Sequence, residues 1–185
     1  MMRMHRDRSQ LLVIDVQERL LPAVQNPGGI VAVCRRMMQA AKRLGVPVTV
    51  SEQYPQGIGP TVEPLRQEAG GDVPVLPKAH FSCMRNERLR DRLQALRGQG
   101  HNQAVIVGIE AHICVTQTAL DLIAAGYDTF VIADGVASRS PESRGLALHR
   151  LRKAGAIIAN SEMAIFEWLE KAGTPEFKDL LALVK

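Results

Sequence analysis

The sequence predicts an α/β protein in which helices cover both faces of a doubly wound, Rossmann-like parallel sheet of six strands. Three observations lead to this fold class. Six short apolar segments alternate along the chain with segments of helical periodicity. The apolar segments are continuous, which is typical of strands that are buried on both faces. Capping residues and glycines mark the ends of the helical segments. The expected strand order is 3-2-1-4-5-6, a common order for such sheets.

The first half of the chain contains three predicted strands. These are Leu11–Ile14, Val46–Val50 and Asp72–Leu76. Between the first two, apolar residues recur at steps of three and four from Ile30 to Leu44, which predicts an amphipathic helix that ends at Gly45. A loop rich in glycine and proline separates the second strand from the third. After the third strand, leucines at helical spacing predict a helix over Asn86–Arg97.

The second half repeats the alternation. Its predicted strands are Ala104–Val107, Thr129–Ala133 and Ala156–Ala159. A helix over Val115–Ala125 follows the first of these strands, and a helix capped by Ser140 runs to about Ala154. Two helices close the chain, and the second opens with Thr174-Pro175-Glu176, a cap followed by proline at the first helical position. No linker, internal repeat or low-complexity segment interrupts the pattern.

Length and composition fit one domain over residues 1–185. The chain has 46% hydrophobic residues and a formal net charge of +4, which argue against long disordered tracts. The basic residues are spread along the chain, so no nucleic-acid-binding surface is predicted. Three scattered cysteines give neither a disulfide framework nor a zinc motif. Because no signal-peptide core or membrane span is found, we expect a cytoplasmic protein with no membrane partner.

Several chemistries of α/β proteins lack their sequence motifs here. No GxGxxG follows the first strand, and neither GxxxxGK[ST] nor GxSxG occurs. These absences argue against a dinucleotide-binding fold of the usual type, a P-loop NTPase and a serine α/β-hydrolase. A phosphoacceptor receiver domain would need an acidic cluster beside its aspartate, and Asp15 has no adjacent acid.

Three chemically reactive side chains lie at or beyond predicted strand ends. Asp15 ends the first strand, Lys78 lies two residues past the third, and Cys114 lies beyond the fourth, where a helix begins. The predicted strand order places Asp15 and Cys114 across one crevice. Singly, they could be a helix cap, a solvated lysine and a small core residue. Together they fit a thiol nucleophile, because an ammonium and a helix N-terminus stabilise a thiolate and a carboxylate accepts its proton.

Four segments carry a resemblance to a known family. They are LLVIDVQ at 11–17, KAHFS at 78–82, GIEAHICVTQTA at 108–119 and DGVASR at 134–139. In this order they resemble the isochorismatase-like cysteine hydrolases, and the similarity extends from about residue 11 to residue 163. The stretch from Glu52 to Thr61 looks most like the isochorismatase-domain-containing subgroup.

The resemblance implies an Asp–Lys–Cys triad and a small-molecule substrate. Cys114 would attack an amide or ureido carbonyl and form a thioester, Asp15 would move the protons, and Lys78 would hold the thiolate and orient Asp15. The family pattern also implies a cis peptide bond between Ile109 and Glu110. That bond would turn the Glu110 N–H toward the N–H of Cys114, and the two would form an oxyanion hole.

The resemblance also leads to expectations about ligands. The Asp-x-His pair of the metal-binding nicotinamidase branch is missing from Ser51–Pro55, so neither a metal nor another cofactor is predicted. Members of the family commonly assemble as dimers or tetramers, so a homo-oligomer is expected. The candidate pocket-lining residues are Gln17, Gln53, Tyr54, Phe81 and His112.

Other functions compete with this prediction. The chain could be a catalytically silent protein that keeps the fold for binding or scaffolding, or a hydrolase of vinyl ethers like the true isochorismatases. Cys83 could instead form a redox disulfide with Cys114. A Cys–His dyad of Cys114 with His112 is disfavoured, because residues two apart do not face each other on a helix.

Overall fold

The computed structural model describes residues 2–184 and contains a six-stranded sheet. All of its strand pairs are parallel, and the order is β3-β2-β1-β4-β5-β6, so the predicted fold class and strand order are confirmed. The strands are β1 (Ser9–Ile14), β2 (Val48–Gln53), β3 (Val75–Lys78), β4 (Gln103–Ile109), β5 (Asp128–Ala137) and β6 (Ile157–Ala159).

Helices follow the strands as the alternation predicts. They are α1 (Pro27–Arg43), α2 (Pro55–Ile58), α3 (Glu63–Ala69), α4 (Glu87–Gly98), α5 (Thr116–Ala124), α6 (Pro141–Lys153), α7 (Ser161–Leu169) and α8 (Pro175–Val184). Side-chain caps begin two of them as predicted. Ser140 accepts a hydrogen bond from the Ser143 N–H, and Thr174 accepts one from the Phe177 N–H. Among residues 2–184, no helix is both long and apolar enough to cross a bilayer.

Several predicted boundaries differ from the structure. The third strand begins at Val75 instead of Asp72, and Lys78 is its last residue instead of lying beyond it. The predicted loop between the second and third strands contains two short helices, α2 and α3, each with proline in its first turn. The apolar pattern missed them because neither is long enough to show a repeat of 3.6 residues.

Two apolar layers enclose the sheet. Strand β1 is buried along its whole length, with Leu11 and Val13 in one layer and Leu12 and Ile14 in the other. The first layer packs beneath α1, α3, α7 and α8, and the second packs beneath α4, α5 and α6. Alternation of side chains along a strand distributes one apolar run between both layers. Cys114 lies in the second layer.

The neighbouring strands β1 and β4 approach closely at their carboxyl ends. Gly108 on β4 pairs with Ile14 on β1 and has a φ of +120°. A Cβ atom at Gly108 would lie 2.1 Å from the Ile14 carbonyl oxygen, so a side chain cannot be accommodated there. After β1 the chain turns at Asp15, whose φ of +53° is left-handed. This close approach brings the residues that follow both strands to one end of the sheet.

Candidate active site

Three elements deliver the predicted triad residues to the carboxyl end of the sheet. Asp15 follows β1, Lys78 ends β3, and Cys114 lies in a π-helical turn over Ala111–Val115 between β4 and α5. The Lys78 Nζ atom donates to Asp15 Oδ2 at 2.6 Å, and both side chains are fully buried. The Cys114 thiol faces the charges of both groups. The structure therefore brings together all three residues that the sequence singled out.

Strand β2 supplies a second set of polar contacts to this ion pair. The Ser51 hydroxyl donates to Asp15 Oδ1 at 2.7 Å, and Gln53 Oε1 accepts from Lys78 Nζ at 2.6 Å. The amide nitrogen of Gln53 donates in turn to the Ala79 carbonyl at 2.7 Å. The sequence prediction missed Ser51. Its signal was the i, i+2 spacing of two polar residues in a buried strand, which places both side chains on one face.

Burial and neighbouring charges shift the pKa values of Lys78 and Cys114. Burial by itself would lower the pKa of Lys78, but the charges of Asp15, Cys114 and Cys83 raise it above its usual value. The pKa of the Cys114 thiol is also raised, first by burial and then by the Asp15 charge, and Lys78 only partly opposes this. The resting thiol is therefore protonated near neutral pH. Lys78 acts on the thiol in the predicted direction, but burial and Asp15 act against it, so the net direction is a raised pKa.

Glu110, the residue before the π-helical turn, is hydrogen-bonded through both its backbone and its side chain. The Ile109–Glu110 peptide bond is cis. The Glu110 carbonyl accepts the N–H groups of Ile113 and Val115 at 3.0 and 3.2 Å. Its buried carboxylate accepts from the Arg139 guanidinium at 2.9 to 3.2 Å through two nitrogens. These contacts fix Glu110 four residues before the candidate nucleophile.

A second thiol lies close to the ion pair. Cys83 is fully buried, and its backbone N–H donates to the Thr118 hydroxyl at 3.0 Å. Burial and the Asp15 charge raise the pKa of Cys83 to about 11, against the opposing charge of Lys78. Cys83 and Cys114 are both free thiols. The disulfide between them therefore stays an untested prediction about oxidised protein.

Two of the predicted pocket residues, Gln17 and Gln53, use their side chains in buried hydrogen bonds. Gln17 is fully buried, and its amide nitrogen donates to the carbonyls of Gln53 and Gly59 at 3.0 and 2.6 Å. Its amide oxygen accepts the Gln53 N–H at 2.7 Å. The Gln53 side chain is likewise engaged, by Lys78 and Ala79. Each amide satisfies buried polar groups. Their assignment as pocket-lining residues stays a prediction.

The other three pocket candidates lie at the surface or in separate cavities. Tyr54 and Phe81 are 58% and 52% exposed. Tyr54 borders a cavity of about 240 Å³ that Lys78 also lines. His112 lines a different cavity of about 170 Å³ against α6. Its Nδ1 lies 2.9 Å from the Ser138 hydroxyl, which gives the imidazole a partner other than Cys114.

Within residues 2–184, no group of three or more His, Cys, Asp or Glu side chains is arranged to hold a metal ion. The Asp15 carboxylate of the triad is engaged with Lys78 and Ser51. Whether the protein uses a metal or another cofactor stays a prediction.

Comparison with known sequences gives consistent matches. A sequence profile of the isochorismatase domain matches residues 9–163. Isochorismatase domain-containing protein 1 of Danio rerio is 39% identical over 173 residues, covering 92% of this chain. The chain spans only 59% of that relative's length. Isochorismatase domain-containing protein 2 of Xenopus laevis is 38% identical over 176 residues, covering 95% of this chain and 83% of the relative.

A solved structure shares the fold over nearly the whole chain. It is described as a MAR1 ribonuclease from Caenorhabditis elegans and superposes with a TM-score of 0.91 at 34% sequence identity. The superposition covers 99% of this chain and 92% of the other. The sheet, the helices and the end of the sheet that carries the ion pair are thus parts of an architecture found in another organism.

Proposed function

The chain belongs to the isochorismatase family, and on that premise we propose that it is a hydrolase whose nucleophile is Cys114. One observation carries the proposal: a buried Asp15–Lys78 ion pair lies beside a thiol at the carboxyl end of a parallel sheet. Ligands bind at this end of open α/β sheets. Perturbed titratable groups also cluster at functional sites more than elsewhere.

The first half of the proposed reaction transfers a proton and forms a thioester. Because the resting Cys114 thiol is protonated, its proton moves to the Asp15 carboxylate as the sulfur attacks a substrate carbonyl carbon. The Lys78 ammonium offsets the charge that the sulfur carries during attack. Protonated Asp15 then returns the proton to the leaving nitrogen. The C–N bond breaks, an amine departs, and the acyl group stays on sulfur.

The second half removes the acyl group. Asp15, again a carboxylate, takes a proton from a water molecule as its oxygen attacks the thioester carbon. The C–S bond breaks, and Asp15 gives its proton to the departing Cys114 sulfur. A carboxylic or carbamic acid leaves, and the site returns to its starting protonation state. Lys78 stays charged through both halves, which agrees with its raised pKa.

An oxyanion hole is the other part of the proposal. The N–H groups of Glu110 and Cys114 would stabilise the negative oxygen that develops on the attacked carbonyl. Support comes from the contacts that fix Glu110, since its carbonyl and its carboxylate are both bonded. A donor that is fixed before reaction costs no reorganisation when charge develops.

Exposure and chemistry together favour a small amide or ureido compound as substrate. Cys114 is only 5% exposed, so a bulky chain cannot reach its sulfur without movement of the surrounding residues. Retention of the cysteine favours acyl transfer over vinyl-ether cleavage, which needs no thioester. A silent fold used only for binding would not need the buried ion pair, which is costly unless it is well bonded.

The test is a hydrolysis screen with small amides and N-carbamoyl amino acids, in which wild type is compared with Cys114→Ala. Cys34→Ala is the matched control, because it removes a buried thiol far from the ion pair. We expect hydrolysis by wild type and Cys34→Ala, loss with Cys114→Ala, and an acyl adduct on the Cys114 peptide by mass spectrometry. Equal hydrolysis by Cys114→Ala and wild type would overturn the proposal.

RNA belongs in the same screen because one similar structure is described as a ribonuclease. Degradation of RNA that persists in Cys114→Ala would point away from the thiol mechanism. Self-association as a dimer or tetramer also stays a prediction, and light scattering at several protein concentrations tests it directly.

A further inference from the structure

Ser51 contacts the candidate base with both its backbone and its side chain. The Asp15 N–H donates to the Ser51 carbonyl at 3.1 Å, and the Ser51 hydroxyl donates to Asp15 Oδ1 at 2.7 Å. Lys78 binds the other carboxylate oxygen at 2.6 Å. Ser51 and Asp15 are fully buried, so bulk water does not compete for these oxygens.

We propose that Ser51 is a positioning residue of the hydrolase, whose hydroxyl holds the Asp15 carboxylate in the orientation that accepts the Cys114 proton. The inference rests on the proposed function, in which Asp15 is the base. A carboxylate turns readily about its terminal torsion, which has broad minima. Lys78 alone would fix one oxygen and leave the plane free to tilt. A second donor on the other oxygen fixes the plane.

Strand β2 is suited to this role because its polar side chains share one face. Ser51 pairs with Ile14, the residue before Asp15, and Gln53 lies two residues further on. Gln53 binds the Lys78 ammonium, as Ser51 binds the carboxylate. One strand therefore orients both members of the ion pair. Neither β2 side chain needs to touch the substrate.

The chain offers a matched control on the same strand. Thr49 lies two residues before Ser51 on the same face of β2 and is fully buried. In the part of the chain that the structure describes, its hydroxyl has no hydrogen-bond partner. Thr49→Val therefore removes a buried hydroxyl that does not contact Asp15, whereas Ser51→Ala removes the one that does.

The experiment measures kcat and KM for hydrolysis of p-nitrophenyl acetate by wild type, Ser51→Ala, Ser51→Thr, Thr49→Val and Cys114→Ala. We expect Ser51→Ala to lower kcat by about 10- to 100-fold, as loss of a hydrogen bond to a charged group predicts. Its KM should stay within about 3-fold of wild type, because the Ser51 hydroxyl binds Asp15 and not the substrate. Ser51→Thr keeps a hydroxyl and should restore most of kcat, and Thr49→Val should change kcat by less than about 3-fold.

The outcomes separate the role of Ser51 from the proposed function. A loss of kcat in Ser51→Ala that Ser51→Thr does not reverse overturns the positioning role, because a merely structural loss does not depend on the hydroxyl. A kcat of Ser51→Ala equal to that of wild type, or a loss in Thr49→Val as large as that in Ser51→Ala, overturns it as well. If Cys114→Ala hydrolyses the ester as fast as wild type, the proposed function fails, and the inference fails with it.

Discussion

Two buried thiols on opposite sides of the sheet show what separates a core cysteine from a candidate nucleophile. Cys34 lies within α1, and its sulfur lies 3.9 Å from the Gly135 carbonyl. Burial and the charge of Asp134 raise the pKa of Cys34 to about 12. Cys114 is also buried beside an aspartate, Asp15, and its pKa is also raised. Burial and a neighbouring carboxylate are therefore shared and do not mark a nucleophile.

The two thiols differ in whether an ammonium lies nearby and in what the neighbouring carboxylate binds. The Lys78 ammonium faces Cys114 and opposes the rise of its pKa. The pKa of Cys34 is raised by burial and by Asp134, and no cation among residues 2–184 opposes that rise. Asp134 is engaged by Ser161, whose N–H and hydroxyl it accepts at 2.8 and 2.6 Å, at the start of α7. Asp134 therefore fixes a helix end, while Asp15 shares a site with an ammonium and a thiol.

Removing the carboxylate charge should have the largest effect, and its sign should differ between two assays. In Asp15→Asn, hydrolysis should fall by about 100- to 10,000-fold, the usual contribution of a general base. Alkylation of Cys114 by iodoacetamide at pH 7 should become faster, because the charge that raises the thiol pKa is gone while Lys78 remains. Peptide mass spectrometry measures alkylation at each cysteine.

Asp134→Asn is the matched control for that experiment. Cys34 has no ammonium to stabilise its thiolate, so its alkylation should stay slow. Slower alkylation of Cys114 in Asp15→Asn than in wild type would contradict the electrostatic account of the site.

Removing the ammonium should test the same comparison through stability. Lys78→Met leaves Asp15 buried without its ion partner, so the free energy of unfolding should fall by about 3–5 kcal/mol. Alkylation of Cys114 should also slow, because Lys78 opposes the rise of the thiol pKa and its loss leaves less thiolate. Urea denaturation measures the first effect.

The double variant provides the control. Asp15→Asn with Lys78→Met removes both charges, and it should be more stable than the sum of the two single changes predicts. Strict additivity of the two losses would mean that the pair contributes nothing through its mutual contact.

Stability at alkaline pH should test the raised pKa that Cys34 and Cys114 share. Both have a raised pKa in the folded protein, so the folded state keeps these protons where the unfolded state loses them. Stability should therefore fall as pH rises above the ordinary thiol value of 9.0. Each such thiol adds a loss of up to about 1.4 kcal/mol per pH unit. Cys34→Ala should decline less steeply between pH 9 and 10 than wild type, and an unchanged slope would contradict the assignment.

The smallest effect should come from removing Arg139, the exposed partner of the Glu110 carboxylate. Arg139 is 64% exposed at its side chain, so Arg139→Ala should lower stability by less than Lys78→Met does, because only the Glu110 member of this pair is buried. It acts on the reaction only through Glu110, so kcat should fall by less than about 10-fold, below the loss of an oxyanion donor itself. Arg139→Lys keeps the charge and serves as the control. A loss of 100-fold would show that the guanidinium acts directly on the substrate.

Local patterns in the sequence were enough for the fold class and for the choice of candidate residues. Continuous apolar runs predict buried parallel strands, since each strand needs apolar side chains on both faces. The strand order was expected because it is common in such sheets, and it placed Asp15 and Cys114 at one end of the sheet. These properties are repeated over short windows, so a single sequence displays them.

Tertiary structure alone decided how the residues are used. The sequence treated Gln17 and Gln53 as pocket residues and did not single out Ser51, because their partners lie 25 to 36 positions away in the chain. It also expected the Cys114 thiolate to be favoured. The sign of that shift depends on the balance of burial, carboxylate and ammonium at one point in space. Such a balance is set by side chains from three strands and a turn, and no local pattern contains it.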